Sequence, residues 1–86
     1  MKTECIVTTF CDNGRGSQRV MNLFKNDNVY FISVDEVVGE PFAYKIVSRV
    51  IEYIIHAETD RTARAFYHEK LDKVYPEYVK TITTIN

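Results

Sequence analysis

From Glu4 to Phe10 the chain is dense in β-branched and aromatic residues (Ile6, Val7, Thr8, Thr9, Phe10), and the run stops at Cys11-Asp12-Asn13-Gly14-Arg15-Gly16, a cluster of turn formers. The pattern predicts a strand and then a loop. Ser17 suits a helix N-cap, and Val20, Met21, Leu23 and Phe24 follow at the i, i+1, i+3, i+4 spacing of one helical face, which predicts a short helix ending near Asn26-Asp27-Asn28. Val29 to Val38 is a nearly unbroken apolar run, as in a strand covered on both faces. Strand, loop, helix and strand make a βαβ unit with a right-handed crossover.

Pro41 then fits the first turn of a second helix. Stepped at helical pitch, Phe42, Ala43, Tyr44, Ile46, Val47, Val50, Ile51, Tyr53, Ile54, Ile55 and Ala57 fill an arc of roughly 220°, about twice what one core contact needs. One side would cover the sheet, and the surplus, Tyr44, Val47, Ile51 and Ile55, would meet the third helix or a second protomer, the latter being the expected interface. Thr59 or Asp60 caps a third helix with a narrower stripe of Ala63, Phe66, Tyr67, Leu71 and Val74, ending at Tyr75-Pro76. Val79 to Ile85 reads as a last strand, within the domain's own sheet or added to a neighbour's edge. The expected fold class is α/β: a small β-α-β-α-α-β domain, a three-stranded sheet packed by helices.

With 86 residues there is room for one domain, residues 1–86, and 45% hydrophobic content gives it a core. Eleven basic against 12 acidic residues leave a net charge of −1, without the positive field of a general DNA-binding protein. Cys5 and Cys11, six residues apart along one strand, cannot pair with each other and are expected to be reduced. No long apolar run or leader pattern is present, so the expected location is cytoplasmic.

Between a strand and a helix, residues 11–17 would offer free N–H groups and a positive helix end, the geometry of an anion cradle. Gly14 and Gly16 let the backbone approach a phosphate, Ser17 adds a hydroxyl, and Arg15 and Arg19 add charge. Cys11 at the mouth would be a stabilised thiolate. The spacing Cys11-Asp12-x-Gly14-x-Gly16-Ser17 resembles the phosphocysteine loop of the mannitol-type B component of the bacterial sugar phosphotransferase system, over about residues 5–25. That resemblance implies that Cys11 accepts a phosphoryl group and that Gly14, Gly16 and Ser17 hold it. Arg15 and Gln18 depart from the family's small or uncharged loop residues. The plainer alternative is a turn, a cap and a small residue at a strand end.

His56 and His68, on successive helices, complete no ligand set at metal-binding spacing, so no metal and no cofactor are expected. With no assembled catalytic set, the favoured function is a non-catalytic accessory or inhibitor module that binds another protein or a small phosphate-bearing ligand, as a homo-oligomer. The ligand-binding candidates are Cys11, Asp12, Gly14, Arg15, Gly16, Ser17 and Arg19. One alternative is phosphoryl transfer on Cys11, its catalytic residue. Another is RNA binding through Arg15, Arg19, Arg61 and Arg64, which requires them on one face. No membrane partner is expected.

Overall fold

A computed structural model describes residues 3–85, with residues 50–52 described by their backbone alone. Five strands, β1 (Thr3–Asp12), β2 (Gln18–Asn26), β3 (Val29–Glu40), β4 (Ala43–Ile55) and β5 (Val79–Thr84), form one antiparallel sheet. The helix α1 (Asp60–Val74) lies between β4 and β5. Strand order is β4-β3-β2-β1-β5: three hairpins run outward, and α1 then carries the chain back so that β5 pairs with β1.

This overturns the β-α-β-α-α-β order and its three-stranded sheet. Residues 18–26 and 43–55, expected as helices, are strands β2 and β4. In β2, Met21 and Leu23 enter the core under α1, while Val20 packs on the opposite face with Phe10 and Val37. A strand covered on both faces carries consecutive apolar residues, and these imitate the i, i+1, i+3, i+4 spacing of a helix. In β4 the wide apolar arc is the two sides of a strand rich in Ile and Val. Pro41 sits in the tight turn of the β3–β4 hairpin instead of a helix N-terminus. The third helix and the last strand fall where the sequence puts them.

Helix α1 closes one face of the sheet. Ala63, Tyr67 and Leu71, spaced four apart on one stripe, pack over Val7, Met21, Leu23, Ile32 and Val34. The Tyr67 hydroxyl donates to the Met21 carbonyl at 2.5 Å and lies 2.7 Å from Thr9 Oγ1, so this large side chain is buried with its polar end satisfied. At the N-terminus, Thr59 Oγ1 accepts from the Thr62 N–H at 3.2 Å. Asp60 accepts from the Tyr30 hydroxyl and from Lys25 Nζ (3.2 Å), tying the start of α1 to the β2–β3 end of the sheet.

The other face is closed by curvature. Two register shifts between β3 and β4, at Val34/Asp35 and Glu36/Val37, bend the far half of that hairpin. The bend brings Tyr44 against Phe10, Val20 and Val37 in a second, smaller core. The Gln18 side-chain amide fastens it, donating to the Gly39 carbonyl (2.8 Å) and accepting the Gly39 N–H (3.0 Å). Beside this second core a polar ladder crosses four strands. Thr8 Oγ1 donates to Asn22 (2.6 Å), Asn22 Nδ2 donates to Ser33 Oγ (3.3 Å) and Asp35 (3.4 Å), and Arg49 Nε meets Asp35 at 3.3 Å.

Candidate functional site

The curled hairpin and the β1–β5 side of the sheet enclose a groove of about 360 Å³, lined by Phe10, Asp12, Gly14, Gly39, Glu40, Pro41, Val79 and Thr81. The register explains the wall: Phe10 pairs with Thr81 and Asp12 with Val79, so these four share one face. Phe10, Pro41 and Val79 supply apolar surface, and Asp12 and Glu40 supply carboxylates. Asp12 accepts the Gly14 N–H at 2.7 Å and a Gln18 amide hydrogen at 3.1 Å, and these two bonds, the first above all, hold its carboxyl below the usual carboxylate range. Val79 of the lining is 74% exposed, and Phe42, the residue after Pro41, is 82% exposed.

The loop expected to cradle an anion joins β1 to β2 and is a hairpin connection, so no helix end points into it. Its own side chains and one of its carbonyls occupy four of its amides. Gly14 N–H donates to Asp12, those of Arg15 (2.7 Å) and Ser17 (3.0 Å) donate to Asn13 Oδ1, and that of Asn13 donates to the Ser17 carbonyl (3.2 Å). Gly14 and Gly16 have φ of 73° and 92°, a turn requirement that needs no ligand to explain it. Ser17 Oγ lies 3.0 Å from the Tyr78 hydroxyl, which links the hairpin to the segment after α1.

Cys11 does not lie at a mouth. It is fully buried on the face under α1, its Sγ 3.9 Å from the Thr9 carbonyl, and burial pushes its pKa up to about 11, against the weaker opposing effect of Lys80. The expected stabilised thiolate is replaced by a neutral buried thiol. Cys5 is half-buried on the same strand, its Sγ 3.6 Å from the Val7 carbonyl, and no disulfide joins the two cysteines.

The structure separates the four arginines that RNA binding requires on one face. Arg15 and Arg19 sit at the β1–β2 hairpin end, with Arg19 Nη1 3.4 Å from Glu36. Arg61 and Arg64 lie in the first half of α1, whose start is anchored to Lys25 and Tyr30 at the other end of β2. Of the four residues expected at an interface, Val47 is exposed on β4, Tyr44 is half-buried against Phe10, and Ile55 belongs to the main core. The Ile51 side chain lies outside the described residues.

Sequence reasoning found Asp12 and Gly14 of the groove and missed Phe10, Gly39, Glu40, Pro41, Val79 and Thr81. In the sequence Pro41 reads as the start of a helix, and nothing local joins positions 10, 40 and 79. Comparison with family models, curated proteins and solved structures finds no match to this chain.

Proposed function

We propose that the chain is a non-catalytic accessory module that binds a partner protein, taking into its groove a segment that carries an aliphatic side chain beside a positive charge. The observation that supports this reading is the pairing of apolar wall and carboxylates: Phe10, Pro41 and Val79 with Asp12 and Glu40. An apolar pocket with a few placed polar groups is the general form of a recognition site. The same two carboxylates repel a phosphate, so of the two ligand classes considered, the protein partner is favoured.

An amide NMR titration tests the reading with two blocked tripeptides, leucyl-lysyl-leucine and leucyl-glutamyl-leucine. Shifts centred on Phe10, Glu40 and Thr81 are expected from the lysine peptide, weakened in Glu40→Gln. Equal response to both peptides, or none, would overturn the proposal. Inorganic phosphate is the third probe, and shifts at residues 14–17 would move the reading to a phosphate-bearing ligand.

A further inference from the structure

We infer that β5 pairs with β5 of a second copy of this chain, antiparallel about a two-fold axis at Ile82, and that the partner's Ile85 then closes the open side of each groove beside Val79. The inference goes beyond the groove's ligand and stands on the backbone of β5.

The Ile85 N–H donates to the Ile6 carbonyl at 2.8 Å, and the pairs Thr83 with Thr8, Thr81 with Phe10 and Val79 with Asp12 follow in step. In an antiparallel ladder alternate residues turn both backbone groups to the same neighbour. Residues 79, 81, 83 and 85 therefore face β1, and Lys80, Ile82 and Thr84 present their N–H and C=O groups outward. Centred on Ile82, two such edges match: Ile82 exchanges both bonds with Ile82, and Lys80 does so with Thr84 on each side. Every outward group of one copy meets its complement in the other.

Side chains agree with that register. Across the axis Val79 faces Ile85, Thr81 faces Thr83 and Lys80 faces Thr84, so β-branched pairs and threonine pairs align and no like charges are opposed. Ile82 is 49% exposed and Ile85 is also exposed, so both have apolar surface to lose. Lys80 is the residue type that commonly guards an edge, but its ammonium is drawn to Asp72 on α1 at 3.8 Å. The opposite edge is defended: β4 carries Lys45 and both register shifts of its hairpin, whereas β5 pairs with β1 without a break. The pairing places the partner's Ile85 next to Val79, a groove-lining residue that is 74% exposed in the single chain.

A contact built on six residues is small beside the roughly 1,000 Å² of a stable interface, so the dimer should dissociate on dilution. Sedimentation velocity from about 10 µM to 1 mM should show a monomer becoming a dimer. Over the same range, exchange of the Ile82 and Thr84 amides should slow by at least about tenfold, with Thr81 and Thr83 unchanged. Ile82→Pro removes only an outward N–H, and Ile82→Lys puts two charges on the axis; both should stay monomeric at the highest concentration, and the second covers the case in which proline perturbs the fold. Ile46→Lys on β4 should leave the dimer intact. A wild-type monomer throughout, a dimer persisting in Ile82→Lys, or a dimer lost in Ile46→Lys alone would overturn the inference. Peptide titration of monomeric Ile82→Lys reads the groove separately, so loss of one result does not imply loss of the other.

Discussion

The rings of Phe10 and Tyr44 lie 5.8 Å apart at 41°, although β2 and β3 stand between their strands. Three strand spacings in a flat sheet come to about 14 Å, so this contact exists only because the β3–β4 hairpin folds back over the face opposite α1. Tyr44→Ala removes the aromatic pair and part of the small core that holds the curl. A loss of about 2 kcal/mol is expected from the pair and the buried area together, read by urea unfolding, with large amide shifts at Phe10 and Gly39. A change under about 0.5 kcal/mol would mean that the curl is held without this contact.

The bend also depends on Gly39. Its φ is 137°, and a Cβ there would stand 2.5 Å from the Ala43 carbonyl oxygen and 2.9 Å from the Tyr44 Cα, both backbone atoms with no easy retreat. Gly14 also has a positive φ, 73°, but a Cβ there meets open space. Gly39→Ala is therefore expected to cost several kcal/mol and to open the groove, against about 1 kcal/mol for Gly14→Ala. Thermal unfolding of the two variants side by side checks the ranking, which equal losses would refute.

The parts legible in the sequence are those set by local chemistry. A cap at Thr59 or Asp60, the stripe of Ala63, Tyr67 and Leu71, and the stop at Tyr75-Pro76 mark α1 from short-range signals alone, and Thr59 is the one that caps. β1 and β3 were legible from their β-branched runs. β2 and β4 were misread because helix period was weighed above β-branched content. In β4 the apolar residues fill more perimeter than a surface helix presents, which is itself a mark of a two-faced strand. The groove was hidden for another reason: Phe10, Glu40 and Val79 meet only through the sheet order and the curl, and neither follows from residue spacing.

Tyr67 joins helix to sheet through its hydroxyl as well as its ring. Tyr67→Phe keeps the packing but leaves the Met21 carbonyl and the buried Thr9 hydroxyl each without one partner. A loss of about 1–3 kcal/mol is expected by denaturant unfolding, with slope unchanged. Thr9→Val alone should cost less, since the Tyr67 hydroxyl keeps its bond to Met21. If Thr9→Val proves the costlier of the two, the hydroxyl is not the fastening it is taken to be here.

Cys11 sets the response to alkali. Its pKa rises from an ordinary 9.0 to about 11 on burial, and burial likewise pushes Tyr75 up from 10.0 to about 12 and Tyr67 upward as well. A group whose proton is held more tightly when folded stabilises the fold fully below its unfolded pKa, and that contribution drains away as pH rises through the folded value. Stability should therefore decline from about pH 9 upward, the Cys11 share being on the order of 2–3 kcal/mol by pH 11. In Cys11→Ala the loss between pH 9 and 11 should be shallower, from a lower starting stability because of the small cavity. The same shift lowers the thiolate fraction about a hundredfold at neutral pH, so iodoacetamide should label Cys11 at least about that much more slowly than free cysteine. Labelling at the free-cysteine rate would show an accessible, ionising thiol, contradict both the burial and the alkaline limb, and restore Cys11 as a candidate nucleophile.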